Sequence, residues 1–299
     1  MGADEQLLYE SRGRMRQAVL AALAALLLVG GAAIQLSGPH TKVNELTLDL
    51  ITVHRRFPLD VIGAIINGLG LFALGGTLAF LFTVARARNP QQRSFVKWLP
   101  LAGGVLAGLS GIVYAVVIAS KASQFVGHGS ETFEQANHLT SSGGLLALPF
   151  VGQAAALALA VGFVMISLSA LRVGLLTRFM GYLGVFTGIL VLFPIGSPVP
   201  VVQAFWLLAL AYLLSGRWPN GVPPSWRSGR AEPWPSSQQM REQRMGQGGG
   251  GGGGHAGGRG AAKPTAEPSA ERVPAETVGA AQAPRTRAGT PKRKRKRRR

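Results

Sequence analysis

Within this 299-residue chain, the stretch His128-Gly-Ser-Glu131-Thr-Phe-Glu134-Gln-Ala-Asn-His138 holds residue types that could do chemistry. Its two imidazoles and two carboxylates follow one another at steps of three, three and four residues. On one continuous helix these four side chains share a face roughly 120° wide. Neutral imidazoles and carboxylates so placed can hold zinc or another divalent ion, with water in an open position. His128, Glu131, Glu134 and His138 are therefore candidate metal ligands. Two features count against them. Gly127 and Gly129 disfavour a helix that includes His128. Thr132-x-x-Gln135 reads as a capping box that starts a helix later, leaving Glu134 and His138 as the pair inside one helix. The plainer and favoured reading is a polar loop with a short interfacial helix resting on Phe133, Ala136 and Leu139.

No Walker loop, dinucleotide fingerprint, nucleophile elbow or HExxH occurs. There are no cysteines, which excludes disulfides, thiolate metal sites and iron–sulfur ligation. The sequence implies no cofactor, and its reading leans away from an enzyme.

A second candidate site is electrostatic. The chain ends in Lys292, Arg293, Lys294, Arg295, Lys296, Arg297, Arg298 and Arg299. Such a run binds polyanions through counterion release, with little sequence preference and strong salt dependence. No aromatic residue lies among these cations, so base stacking is unavailable to them. Anionic lipid headgroups are the first expected partner, because a tether beside a bilayer raises their effective concentration. RNA or the ribosome is the second.

The elements that position these groups follow from how the cations sort. Six apolar stretches divide the first 215 residues: 18–36, 59–84, 99–119, 145–171, 179–195 and 199–214. Segments on one side hold Arg12, Arg14, Arg16, Arg86, Arg88, Arg93, Lys97, Arg172, Arg178 and every cation after Ser215. The alternate loops hold Lys42, Arg55, Arg56 and Lys121. Basic flanks resist translocation, so the rich side is cytoplasmic. The fold class expected is all-α: a polytopic transmembrane bundle of six spans, both termini inside, with a disordered basic C-terminal tail. The first stretch also has the look of a signal peptide, with Gly31-Ala32-Ala33 as a small-residue site, but an uncleaved helix is favoured.

The last two stretches are short for a hydrocarbon core of about 30 Å. They meet at Pro194-Ile195-Gly196-Ser197-Pro198 and either cross a thinned bilayer or form a re-entrant hairpin; two true spans are favoured. Pro149 either kinks the fourth stretch or marks its first turn. Gly104-x-x-x-Gly108 and Gly184-x-x-x-Gly188 are expected to let helices of the same chain approach closely. No span has an ionisable residue near its centre, which speaks against ion coupling and voltage sensing. Asp60 is expected to pair with Arg55 or Arg56, and Asn67, Gln153 and Gln203 to bond between helices. Residues 43–57 carry apolar side chains at the three-four spacing of an amphipathic helix, although Leu46, Leu48 and Leu50 also alternate like a strand.

Four parts result: a cytoplasmic segment 1–17, a transmembrane domain 18–215, a membrane-proximal segment 216–236 and a disordered tail 237–299. In the third part Trp218, Trp226 and Trp234 recur amid Pro and Arg, as if resting in the headgroup layer. In the fourth, seven consecutive glycines (Gly248 to Gly254) and a Pro/Ala/Arg-rich stretch cannot bury enough apolar surface to offset chain entropy.

Gly174-Leu-Leu-Thr-Arg-Phe-Met-Gly181, Val202-Gln-Ala-Phe-Trp-Leu207, Gly216-Arg-Trp-Pro219 and Glu232-Pro-Trp-Pro235 carry a likeness. Residues 174–235 resemble a group of uncharacterised polytopic membrane proteins from GC-rich bacteria, classed under domains of unknown function. The resemblance implies an α-helical bundle in a bacterial plasma membrane and no particular activity. Expected function is thus a non-enzymatic membrane anchor or scaffold whose tail binds a polyanion. The alternatives are a carrier or binding protein for an apolar or uncharged solute, and a metal-dependent membrane enzyme using the His/Glu cluster.

Overall fold

The computed structural model describes residues 3–38, 45–128, 132–141, 143–192, 200–219 and 221–232, all within the first of two units, Met1–Arg244. The polybasic run Lys292–Arg299, Glu131, Trp234 and the turn 194–198 lie outside the described residues. Among the described residues every regular element is helical. They are α1 (Ala3–Leu36), α2 (Leu46–Arg56), α3 (Leu59–Arg88), α4 (Trp98–His128), α5 (Phe133–Thr140), α6 (Gly143–Arg172), α7 (Arg178–Leu192), α8 (Val201–Leu214) and α9 (Ser225–Ser228). A 3-10 turn, Ser94–Lys97, leads into α4.

Long Ala/Leu-rich runs favour helix because backbone polar groups then satisfy one another without water. α1, α3, α4 and α6 have 34, 30, 31 and 30 residues. At 1.5 Å per residue they reach about 45–50 Å, beyond a hydrocarbon core of about 30 Å. These four are apolar and long enough to cross a membrane; α7 and α8 are shorter apolar helices. α6 continues through Pro149 from Gly143, so the proline lies inside the helix rather than in its first turn. It stops in a Schellman turn: Gly174 takes φ +77°, its N–H donates to Leu171 O (3.1 Å), and the Leu175 N–H donates to Ala170 O (2.9 Å).

The helices close into a ring in chain order: α1 packs on α3, α3 on α4, α4 on α6, α6 on α7, α7 on α8 and α8 back on α1. α3 and α6 also touch across the middle. The core fills from Leu78 and Phe82 of α3, Phe163 and Ile166 of α6, Trp206 and Leu210 of α8, and the Ala21–Leu28 face of α1. Phe163 and Trp206 stack tilted, with centroids 4.7 Å apart, and the Trp206 indole N–H donates to Met180 O at 3.0 Å. This ties α8 to the start of α7.

Glycine sets the helix spacing. A Cβ on Gly104 would lie 2.6 Å from Leu71 O, and one on Gly108 would lie 2.9 Å from Gly68 O, so both face α3. On α7, Gly184 meets Ser167 and Gly188 meets Val164 and Ala160 O, so both face α6. Both motifs serve packing within the chain. The hydrogen-bonding expected of Asn67, Gln153 and Gln203 does not materialise. Gln153 is exposed, and none of the three hydrogen-bonds another helix among the described residues.

Outward, large apolar side chains form a belt. Leu23 and Leu26 on α1, Leu106, Leu109 and Val113 on α4, and Phe205 and Leu208 on α8 are all exposed. A surface of this kind exceeds what a water-facing monomer tolerates.

Candidate functional site

At the end of the ring where α3 begins, α2 and α5 fold over α4. A small separate core of Leu50, Ala122, Phe125 and Ala136 holds them there. α2 is the amphipathic helix its spacing foretold, and the strand alternative is not taken. α5 starts where the capping box indicated: Thr132 is its N-cap, its hydroxyl accepting the Gln135 N–H at 3.4 Å. Ala136 is fully buried, whereas Phe133 is 67% exposed and so does not seat the helix.

The candidate metal ligands are distributed accordingly. His128 is the last residue of α4, while Glu134 and His138 lie on α5 with exposed side chains. Thr132, the N-cap of α5, has extended backbone, so the helix that carries Glu134 and His138 begins after it and is not continuous with the one that carries His128. No group of three possible metal ligands gathers among the described residues.

What α2, α5 and the ring do border is a half-open cavity of about 750 Å³. Leu50, Val53, Ile118, Leu145 and Leu146 give it apolar walls. Asp49, Arg56, Asp60, Tyr114, Asn137 and Thr140 supply polar groups around them. Arg56, the last residue of α2, is buried and fixed: it pairs with Asp60 in the first turn of α3 (2.8 Å) and donates to the terminal α1 carbonyls of Ile34 and Gln35. A cation at helix C-terminal carbonyls satisfies orphan acceptors and complements the helix dipole. The pairing expected for Asp60 is thus with Arg56. Hydroxyls beside the cavity bond to backbone, Thr140 to Ala136 O at 2.9 Å and Ser141 to His138 O at 3.4 Å. Such an arrangement can desolvate a mainly apolar molecule and hydrogen-bond its polar end; it presents no activated nucleophile.

The opposite end carries a polar cluster that reading the sequence did not find. Arg88, at the end of α3, meets Glu10 of α1 in a two-pronged ion pair, 2.7 Å on each prong. Their side chains are 0% and 3% exposed. Arg88 also donates to Val84 O at 3.0 Å and, from Nε and Nη2, to Ser225 O at 3.2 and 2.8 Å. All five guanidinium N–H groups therefore have acceptors. Trp226 lies below, with Arg88 5.5 Å and Arg14 4.9 Å from its ring centre, and its indole N–H donates to Leu175 O at 3.0 Å. Trp226 is 5% exposed, so it plugs the helix bundle instead of lying among headgroups as expected. Trp218 packs part-buried on the core. One signal for this cluster exists in the sequence. Glu10 is the lone acid between Glu5 and Glu45, set among Arg12, Arg14 and Arg16.

Compared with known proteins, the chain matches no family model, no curated protein and no solved structure.

Proposed function

We propose that this chain is a six-span plasma-membrane protein with both termini cytoplasmic, and that it binds an apolar or uncharged solute at its outer end. The carrying observation is the cavity of about 750 Å³ between α2, α5 and the helix ring. Small-molecule sites typically span about 300–1,000 Å³, mostly apolar with a few convergent polar groups. A ligand that is apolar along most of its length and hydrogen-bonds at one end fits these walls. The anchor or scaffold reading keeps the polybasic tail on anionic lipid as its basis, with RNA the second partner, but has no use for such a cavity.

The test is native mass spectrometry of the full chain released from nanodiscs. A small uncharged molecule stays with the unaltered protein and is lost from Ile118→Trp, whose indole fills the cavity. Retention in Ile118→Trp, or bare protein from the start, would sink the binding reading.

Six spans are supported by α7 and α8, which expose Phe179, Tyr182, Phe186 and Ile189, and Phe205, Leu208 and Tyr212, as a lipid-facing helix does. Orientation is supported by the sorting of cations. Because the chain lacks cysteine, single introduced thiols report directly. A membrane-impermeant maleimide on intact cells is expected to label Phe133→Cys and Ser197→Cys and to leave Ser94→Cys untouched. Labelling of Ser94→Cys reverses the orientation; an unlabelled Ser197→Cys turns α7 and α8 into a re-entrant hairpin.

A further inference from the structure

Two hollows flank the 3-10 turn Ser94–Lys97 at the end of the ring opposite the solute cavity. One, of about 390 Å³, lies between α3 and the turn and is lined by Phe82, Thr83, Arg86, Ala87, Pro90 and Lys97. The other, of about 530 Å³, is a groove between α4 and α6 whose lining includes Phe95, Trp98, Gly103, Val151, Ala155 and Ala158. Neither Arg86 nor Lys97 has an acidic partner among the described residues, and the sequence holds no acid at all between Asp60 and Glu131. The groove is apolar throughout, and its floor is low because small residues let the helices touch: a Cβ on Gly103 would lie 2.6 Å from the Leu159 N. Phe95 and Trp98 stand at its mouth, 52% and 60% exposed.

We propose that this corner is a binding site for one anionic phospholipid, its phosphate between Arg86 and Lys97 and an acyl chain in the α4–α6 groove. Two cations in a hollow, with no acidic partner among the described residues, ask for an anion, and a free aqueous anion would leave the neighbouring apolar groove uncovered. A phospholipid meets both demands at once. Trp98, amphipathic and exposed, suits the boundary between head and chain. Each cation beside an anionic lipid is worth about fivefold in affinity.

The test is quenching of Trp98 by brominated lipid. The full chain is placed in phosphatidylcholine vesicles doped with brominated phosphatidylglycerol or brominated phosphatidylcholine. The Trp98→Phe chain supplies the background from the other tryptophans, and Lys292–Arg299 are changed to Gln so that the tail does not recruit lipid. Brominated phosphatidylglycerol is expected to quench Trp98 at about a tenfold lower mole fraction than brominated phosphatidylcholine. R86Q/K97Q abolishes the preference and R86K/K97R keeps it. R12Q/R16Q, which removes the same charge from α1, leaves it unchanged. Equal quenching by the two lipids in the chain with Arg86 and Lys97 intact overturns the site. So does a preference that survives R86Q/K97Q or disappears in R12Q/R16Q.

Discussion

Arg88→Met, with Glu10 left in place, is expected to destabilise the helix bundle by about 3–5 kcal/mol, the cost of stranding one member of a buried pair. Glu10 is then a carboxylate 3% exposed without its two-pronged partner, and the carbonyls of Val84 and Ser225 lose their guanidinium donors and keep only backbone ones. An exposed pair would cost about 0–1 kcal/mol by comparison. Burial is what makes the difference, and the sign of the remedy follows from it. Glu10→Leu combined with Arg88→Met removes both charges and recovers much of the loss, since an apolar pair of similar volume replaces a buried ion pair at little cost. Recovery stays incomplete because Ser225 O loses both guanidinium donors and keeps only the Gly229 N–H (3.2 Å). Thermal unfolding of the full chain in detergent, run on both single variants and the double, gives the coupling energy. A coupling below about 1 kcal/mol would mean that water reaches the pair and weakens it as it does at a surface.

Gly104→Leu has a comparable expected effect by a different route. The first added carbon already falls 2.6 Å from Leu71 O and 3.5 Å from the Gly75 Cα, both backbone atoms that no rotamer change can move. Across the same crossing, a Cβ on Gly75 would lie 2.6 Å from Pro100 O. α3 and α4 must then separate along their shared face, and overpacking of this kind costs about 1–3 kcal/mol or more. Size-exclusion chromatography of the detergent-solubilised chain should show loss of the monodisperse peak. Gly111→Ala is the matched control on the same helix, because nothing lies within 4 Å of its Cβ position. It is expected to be neutral or to stabilise by up to about 1 kcal/mol through helix propensity. If both variants behave alike, the close approach at Gly104 is not what holds α3 to α4.

Much of this fold is legible in the sequence because a bilayer reduces the choices. A long apolar run must be helix there, and the six runs, the two short ones included, became α1, α3, α4, α6, α7 and α8 within a few residues at most ends. The larger departures are at polar ends: α1 begins at Ala3 and α4 runs on to His128, where hydropathy no longer marks the helix but backbone propensity still carries it. α2 and α5 were readable from periodicity and from Thr132, since both signals are local. The cavity and the Glu10–Arg88 cluster were not. Each joins residues remote in sequence, and nothing in local spacing says that the end of α3 will meet the start of α1 and the loop behind α8. Trp226 misled for a related reason. A tryptophan after the last span has the same local context whether it lies among headgroups or folds back beneath Arg88.

The bond from Arg88 to Ser225 spans 137 residues, and this carries a consequence for the order of synthesis. Glu10 and Arg88 are both made early, so their ion pair can form as soon as α3 has entered the bilayer beside α1. Until Ser225 and Trp226 leave the ribosome, however, the guanidinium lacks an acceptor for two of its donors and has no indole beneath it. One end of the helix ring thus stays open to water while the later helices are made, and it dries only when the chain returns from behind α8 to seal it. Reporter fusions cut behind any earlier helix would therefore trap a half-closed ring, and a fusion placed beyond Glu232 is the first that carries the complete seal.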